Sequence, residues 1–235
     1  MKRILLVVFL FAVAFSLCFG GSAFAVSSFT DVPDNHWAKI AIDYGVDNEY
    51  LTGMGDNKFQ PSTTTTRAQI CTMIVKKFGF IAGPNVFTGG EDIVIQTFSD
   101  VKDGDWFKGY VDIASSLGIV NGYPDNTFLP NNDITREEIA VMLIKALDVY
   151  SKQKYDKFVD VSEETANENI DNFTDYEQIK ASWGWVYVGG VNFYEVMGGY
   201  PDGSMKIKNF ITRAEAAQVV YNTVRAVFLI DEANL

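Results

Sequence analysis

The strongest constraint on this chain is a unit that occurs three times in one register. An arginine follows a tryptophan by 30 residues in three places: Trp37 and Arg67, Trp106 and Arg136, Trp183 and Arg213. The glycine 16 positions after each tryptophan recurs as Gly53, Gly122 and Gly199, and the aspartate three further on as Asp56, Asp125 and Asp202. Agreement at so many fixed offsets identifies an internal repeat, which has to be recognised before any fold is assigned because each copy is one supersecondary unit.

The second half of each unit opens Thr66-Arg67-Ala68-Gln69, Thr135-Arg136-Glu137-Glu138 and Thr212-Arg213-Ala214-Glu215. Thr-x-x-Glu/Gln is a capping box: the threonine hydroxyl accepts from the backbone three residues on, and the Glu or Gln reaches back to the cap. A helix is therefore predicted to begin at each arginine. Offsets of four, seven and eight from the threonine give Ile70, Met73 and Ile74, then Ile139, Met142 and Leu143, then Ala216, Val219 and Val220, one apolar stripe written three times. Ile134 and Ile211 stand just before their caps as apolar staples.

The first half also has helical spacing, with Trp37, Ile40, Ala41 and Tyr44 on one predicted face and Trp106, Tyr110, Ile113 and Leu117 on its counterpart. Between the two helices lie Gly53-Met54-Gly55-Asp56-Asn57, Gly122-Tyr123-Pro124-Asp125-Asn126 and Gly199-Tyr200-Pro201-Asp202-Gly203, whose Pro-Asp-Asn and Pro-Asp-Gly runs are turn formers. A single helix-turn-helix unit cannot bury both its stripes, so the three are expected to share one core in a mainly α fold.

The first two units open with Phe29-Thr30-Asp31-Val32 and Phe98-Ser99-Asp100-Val101. In the third, Phe158-Val159-Asp160-Val161 resembles this opening but lies too far from Trp183, so Phe173-Thr174-Asp175 is taken as the start. The expected organisation is a leader over 1–25, repeats over 26–78, 98–150 and 173–235, a linker over 79–97 in which Ile93, Val94 and Ile95 form a short strand, and an insert over 151–172 whose acidic part, 162–172, is a loop.

The leader reading rests on Lys2 and Arg3, an apolar run from Ile4 to Phe19 broken by Ser16, and an A-x-A site at Ala23 to Ala25. The run is shorter than the ~20 residues a spanning helix needs, which makes it a secretory signal peptide. An exported chain without a membrane span after cleavage is the expectation. Cleavage leaves Cys71 as the one cysteine, beside the apolar stripe of its helix, where a small buried hydrophobe is expected and no internal disulfide can form. Without Lys2 and Arg3, 17 basic residues face 30 acidic ones, a net charge of minus 13 that argues against nucleic acid as a partner. An apolar content of 48% excludes a disordered chain.

Together these motifs resemble the S-layer homology family, whose hallmarks are an opening Phe-x-Asp-Val, a tryptophan, a Gly-Tyr-Pro-Asp-Gly turn and a closing Thr-Arg-Ala-Glu. The resemblance runs from about Phe29 to about Phe228. It implies a pseudo-trimeric three-pronged spindle around a central helix bundle, with grooves between repeats. It also implies that these grooves bind secondary cell-wall polymer, commonly through a pyruvyl ketal, and fasten exported proteins non-covalently to the bacterial envelope as part of, or beside, a surface layer.

The residue chemistry is compatible with that implication. An arginine in the first turn of a capped helix joins a bidentate guanidinium to the positive end of a helix dipole. Arg67, Arg136 and Arg213 are the expected anion contacts. Trp37, Trp106 and Trp183 are expected as platforms for sugar rings, and Asp31, Asp100 and Asp175 as partners of the arginines or of sugar hydroxyls. Gly53, Gly122 and Gly199 are read first as backbone devices whose missing side chain would also admit a sugar. Gly55 in place of proline, Gln69 in place of glutamate and Glu137 beside Arg136 make the units unequal, so fewer than three equivalent sites are expected.

Two other classes compete. An enzyme finds little support: His36 is the single histidine, and Asp100, Asp103 and Asp105 lack the spacing of a calcium loop, so neither a catalytic residue, a cofactor nor a metal is assigned. A structural or protein-interaction subunit of a surface layer, in contact with other surface-layer proteins, stays open because no cargo domain is visible beside the repeats.

Overall fold

The computed structural model describes residues 29–80, 97–159 and 161–234. The expected signal peptide and the expected strand at Ile93 to Ile95 lie outside these residues. Among the described residues the fold is mainly helical with no strand, and no helix is long and apolar enough to cross a membrane.

The three capped helices are α2 (Arg67–Phe78), α4 (Arg136–Tyr155) and α8 (Arg213–Glu232), and each begins at its arginine. Both halves of each capping box form; Thr66 N–H donates to Gln69 Oε1 at 3.0 Å while Gln69 N–H donates back to Thr66 Oγ1 at 3.4 Å. Gly79, at φ 65°, ends α2 in the left-handed region that a glycine takes without strain. All nine predicted stripe residues are buried. Cys71 is buried among them, which pushes its thiol pKa up to about 12.

The leading helices are α1 (Lys39–Asp47), α3 (Lys108–Ser116) and α7 (Trp185–Phe193), each starting two residues after its tryptophan. Their core face differs from the predicted one. Ala38, Ala41, Ile42 and Gly45 are buried, whereas Trp37 and Ile40 are exposed. Trp37 stands in the turn before α1, so helical periodicity counted from it is out by one residue, a rotation of about 100°. In α3 the buried Phe107, Val111 and Ala114 repeat the same shifted face.

No repeat packs its own two helices together. Instead α2 packs on α3, α4 on α7 and α8 on α1, so each capped helix covers the leading helix of the next repeat and the third repeat closes on the first. The capped helices also pack on one another in the centre. At the ends of these helices the backbone forms a closed ring: Thr65 N–H donates to Ile211 O, Ile211 N–H to Ile134 O, and Ile134 N–H to Thr65 O, each at 3.0 Å.

Ile134 and Ile211 are fully buried in this ring, and Thr65, equally buried, carries a hydroxyl without a partner. An unmet buried hydroxyl costs about 1 kcal/mol or more. Thr65→Val removes it at nearly constant volume and is expected to stabilise the fold by about 1 kcal/mol, raising Tm by roughly 2–4 °C. Thermal and urea unfolding measure this; a destabilised variant would show that the hydroxyl is satisfied.

The acidic segment 162–172, expected as a loop, holds a short helix, α5 (Glu163–Glu168), and a second, α6 (Tyr176–Lys180), follows within the third repeat. Ser162 caps α5, its Oγ accepting from Thr165 N–H at 3.1 Å. The helix forms because it has a surface to dock on: α5 packs on α7 at Gly189, where a Cβ would come within 2.4 Å of Ala166 Cα.

Candidate functional site

Each recurrent arginine reaches across to the following repeat. Arg67 Nε donates to Phe128 O, Arg136 Nε to Met205 O and Arg213 Nε to Phe59 O, all at 2.9 Å. Arg136 Nη2 adds Gly198 O at 2.7 Å and Arg213 Nη2 adds Thr52 O at 2.9 Å. The guanidinium groups lie 4.5–5.0 Å from aromatic centroids: Arg67 over Tyr123 and Phe128, Arg136 over Tyr200, Arg213 over Phe59. With exposures of only 4–6%, all three join repeats together, whatever else they contact.

The first N–H groups of the capped helices are engaged as well. Arg67 and Ala68 N–H donate to Asn132 O and Pro130 O, and the other two helices do the same with the next repeat in the ring. At the helix ends where an anion contact was expected, these N–H groups are therefore not on offer, because ring closure consumes them.

The aspartates bond to backbone instead of to the arginines. Asp31 accepts from Phe59 and Gln60 N–H, Asp100 from Phe128 and Leu129 N–H, and Asp175 from Met205 and Lys206 N–H, all at 2.8 Å. Gln60, Leu129 and Lys206 have φ of 59°, 56° and 51°, a left-handed conformation that side chains resist, so the carboxylate holds a strained corner. Asp175 making the same bonds as Asp31 and Asp100 puts Phe173 where Phe29 and Phe98 stand. Gly53, Gly122 and Gly199 are required by these phenylalanines, whose rings come within 2.2–2.6 Å of where a Cβ would sit.

The tryptophans are the exposed members of the set. Trp37, Trp106 and Trp183 are 60%, 62% and 66% exposed, each large enough to serve as an apolar platform.

The three grooves carry different charge. Between repeats two and three, Glu138 accepts from Tyr123 OH at 2.8 Å and pairs with Arg67 Nη1 at 3.0 Å. Glu137, buried beside it, pairs with Lys208 and accepts from Gly184 N–H at 3.0 Å. Further along the same groove a cavity of about 340 Å³ holds both Lys145 and Asp148 among apolar side chains. Between repeats three and one, Glu215 accepts from Tyr200 OH at 2.6 Å.

Between repeats one and two, Met54 and Gln69 stand where the others have tyrosine and glutamate. A cavity of about 390 Å³ opens there, lined by Gln69, Thr72 and Lys76 of α2, Trp106 and Tyr110 of the second repeat, and Arg213 of the third, with no carboxylate in its wall among the described residues. Burial lowers the pKa of Arg213 and the charge of Asp31 raises it, yet Arg213 makes no ion pair among the described residues.

Lys76 was not among the expected site residues, and Tyr110 was expected only on the apolar face of its helix. The register contained the signal: Lys76 and Lys145 both follow their arginines by nine residues, and Tyr110 and Tyr187 their tryptophans by four.

Burial pushes the carboxyl pKa of Glu215 up, but the Tyr200 hydroxyl, the Thr212 N–H and hydroxyl and the Arg136 charge together hold it below its ordinary value. Glu138 is lowered in the same way. A carboxyl lowered in the folded state stabilises fully above its unfolded pKa of about 4.3, and that contribution is lost as pH falls through the folded value. Urea unfolding followed from pH 6 down to pH 3 should show a shallower loss for Glu215→Gln than for the parent, and equal slopes would remove Glu215 from this account.

The S-layer homology domain matches the chain three times, at residues 28–71, 97–140 and 172–217. Exoglucanase XynX of Acetivibrio thermocellus is 31% identical over 194 residues, which is 83% of this chain and 16% of that protein. Amylopullulanase of Thermoanaerobacterium thermosulfurigenes is 29% identical over 194 residues, 83% of this chain and 9% of that protein. The cellulosome-anchoring protein of Acetivibrio thermocellus is 31% identical over 121 residues, 52% of this chain and 26% of that protein. The chain thus spans less than a third of each of these relatives. Three matches in tandem fall on three units built alike and cover more than half of the chain, which therefore belongs to the S-layer homology domain family.

Proposed function

We propose that this protein is a cell-surface anchoring module that holds an anionic wall glycan in the groove between repeats one and two. The observation that carries this reading is the charge of that groove: among the described residues Arg213 and Lys76 line it and no carboxylate does, in a chain whose formal charge is minus 11. An acidic surface repels polyanions in general, so admission depends on a local cluster of cations.

Arg213 spends two of its five N–H groups on Phe59 O and Thr52 O. The remaining donors suit a carboxylate such as a sugar pyruvyl ketal, and the exposed Trp106 across the groove suits the apolar face of the sugar ring. The other two grooves place Glu138 and Glu215 where such a carboxylate would approach. The relative named as a cellulosome-anchoring protein supports the cell-surface part of the reading. That the exoglucanase and the amylopullulanase share these repeats over a small part of their length supports a module that serves several activities.

Sedimentation with purified bacterial cell wall tests the proposal. The protein should pellet with intact wall and stay in solution once the secondary polymer has been stripped with acid. Equal pelleting in both cases would refute glycan anchoring.

A further inference from the structure

We infer that Asn121 is a self-modification site: assisted by Lys145, its side-chain amide deamidates to a carboxylate that then pairs with Lys145. Asn121-Gly122 is the one Asn-Gly pair in the chain, and the same register positions hold Thr52-Gly53 and Gly198-Gly199, which have no amide to lose. A glycine nitrogen has no side chain beside it to obstruct ring closure onto the preceding asparagine. Asn121 is exposed, so water reaches it. With the amide oriented to satisfy both its ends, Nδ2 donates to Val120 O and Oδ1 accepts from Lys145 Nζ of α4, each at 3.2 Å.

These contacts suit the reaction. Gly122 N gives its proton to solvent hydroxide and attacks Asn121 Cγ, and the carbonyl electron pair moves onto Oδ1, the atom that Lys145 holds. A cation already placed there stabilises the developing negative charge. Lys145 is half-buried, and burial lowers its pKa, which makes it a better proton donor to that oxygen. The tetrahedral carbon then expels Nδ2 as ammonia and leaves a succinimide, which water opens. Attack at Cγ gives aspartate and restores the peptide bond, whereas attack at the main-chain carbonyl gives isoaspartate and lengthens the turn by a methylene. Gly122 has no room for that shift, since even a Cβ would come 2.2 Å from Phe98 Cε1 and 2.7 Å from Thr127 O. The folded chain therefore favours aspartate.

The new carboxylate meets a cation that lacks a counter-charge. Between repeats two and three Arg67 pairs with Glu138 and Lys208 with Glu137, while Lys145, which lines the cavity there, has no ion pair among the described residues. Deamidation supplies the partner and cancels that charge. The groove between repeats one and two has Thr52 at this position and keeps its cations, so the two grooves diverge further in charge as the protein ages.

Peptide mapping by mass spectrometry, after incubation of the whole protein at mildly alkaline pH, tests this. Position 121 should convert faster than any other asparagine, with aspartate as the main product. Lys145→Met should slow the conversion about tenfold, and Lys145→Arg, which keeps a cation, should stay within about threefold of the parent. Opening of the turn would free Gly122 and raise the rate, so slower conversion in Lys145→Met cannot come from lost structure. In urea the parent and Lys145→Met should convert equally, because unfolding removes the contact. Equal rates for the two folded proteins, no conversion in the folded parent, or a difference that persists in urea would each overturn the inference. Isoaspartate as the main product of the folded parent would overturn the part given to Gly122.

Discussion

Arg136→Met should lower the free energy of unfolding by about 3 kcal/mol, a large share of the 5–15 kcal/mol typical of a domain. Methionine keeps much of the apolar stem but removes every donor. The carbonyls of Gly198 and Met205 then lose charge-assisted bonds of 2.7 and 2.9 Å in a place that water reaches poorly, and the Tyr200 ring loses the cation 4.7 Å from its centre. Two such bonds are worth about 1.5–3 kcal/mol each, offset in part by the desolvation that a buried guanidinium no longer suffers. The effect should not stay local. Because each repeat is covered by the next, loosening the second repeat from the third opens a ring that the first depends on, so urea unfolding should remain one transition at lower denaturant. A loss under about 1 kcal/mol would mean that the arginines do not hold the repeats together. The same reasoning bears on any binding assay: alanine at Arg67, Arg136 or Arg213 changes the fold as well as the groove, so a loss of binding in such a variant does not identify a ligand contact.

Local patterns were legible in the sequence wherever one segment settles its own conformation. Thr66, Thr135 and Thr212 each meet a Glu or Gln three residues on, and all three helices start where that chemistry puts them. The stripes behind them point inward because a capped helix fixes its own phase. The leading helices lack side-chain caps, and counting from Trp37 placed Ile40 inward when Ala38 and Ile42 are the buried neighbours. What the sequence could not show is which carbonyl each arginine meets, since Arg213 and Phe59 are 154 residues apart and only ring closure joins them. For the same reason Asp31 read as a polar site residue although both its oxygens hold the corner at Phe59 and Gln60. The unequal charge of the grooves was half visible: Gln69 was seen as a departure, and its consequence emerged once Glu138 and Glu215 were found beside the tyrosines of the other two grooves.

That consequence can be tested by exchanging the residues. Met54→Tyr together with Gln69→Glu gives the first repeat the pair present in the second and third, where the hydroxyl-to-carboxylate bonds are 2.8 and 2.6 Å. The capping box should survive, since glutamate accepts from the cap N–H in both other repeats at 2.9 and 2.8 Å. Stability at neutral pH should therefore be kept. Binding should not be. A carboxylate at position 69 can pair with Arg213 as Glu138 pairs with Arg67, and it repels an incoming ligand carboxylate from the same place. Losing one charge-assisted contact while adding a like charge should weaken affinity about 30- to 100-fold, measured by titration with a pyruvyl-ketal monosaccharide at neutral pH. The exchange separates charge from architecture in a way that removing Arg213 cannot, because the inter-repeat bonds of Arg213 to Phe59 and Thr52 stay in place. If the double variant binds as tightly as the parent, the anion is held in another groove, and the absence of a carboxylate between repeats one and two has no part in recognition.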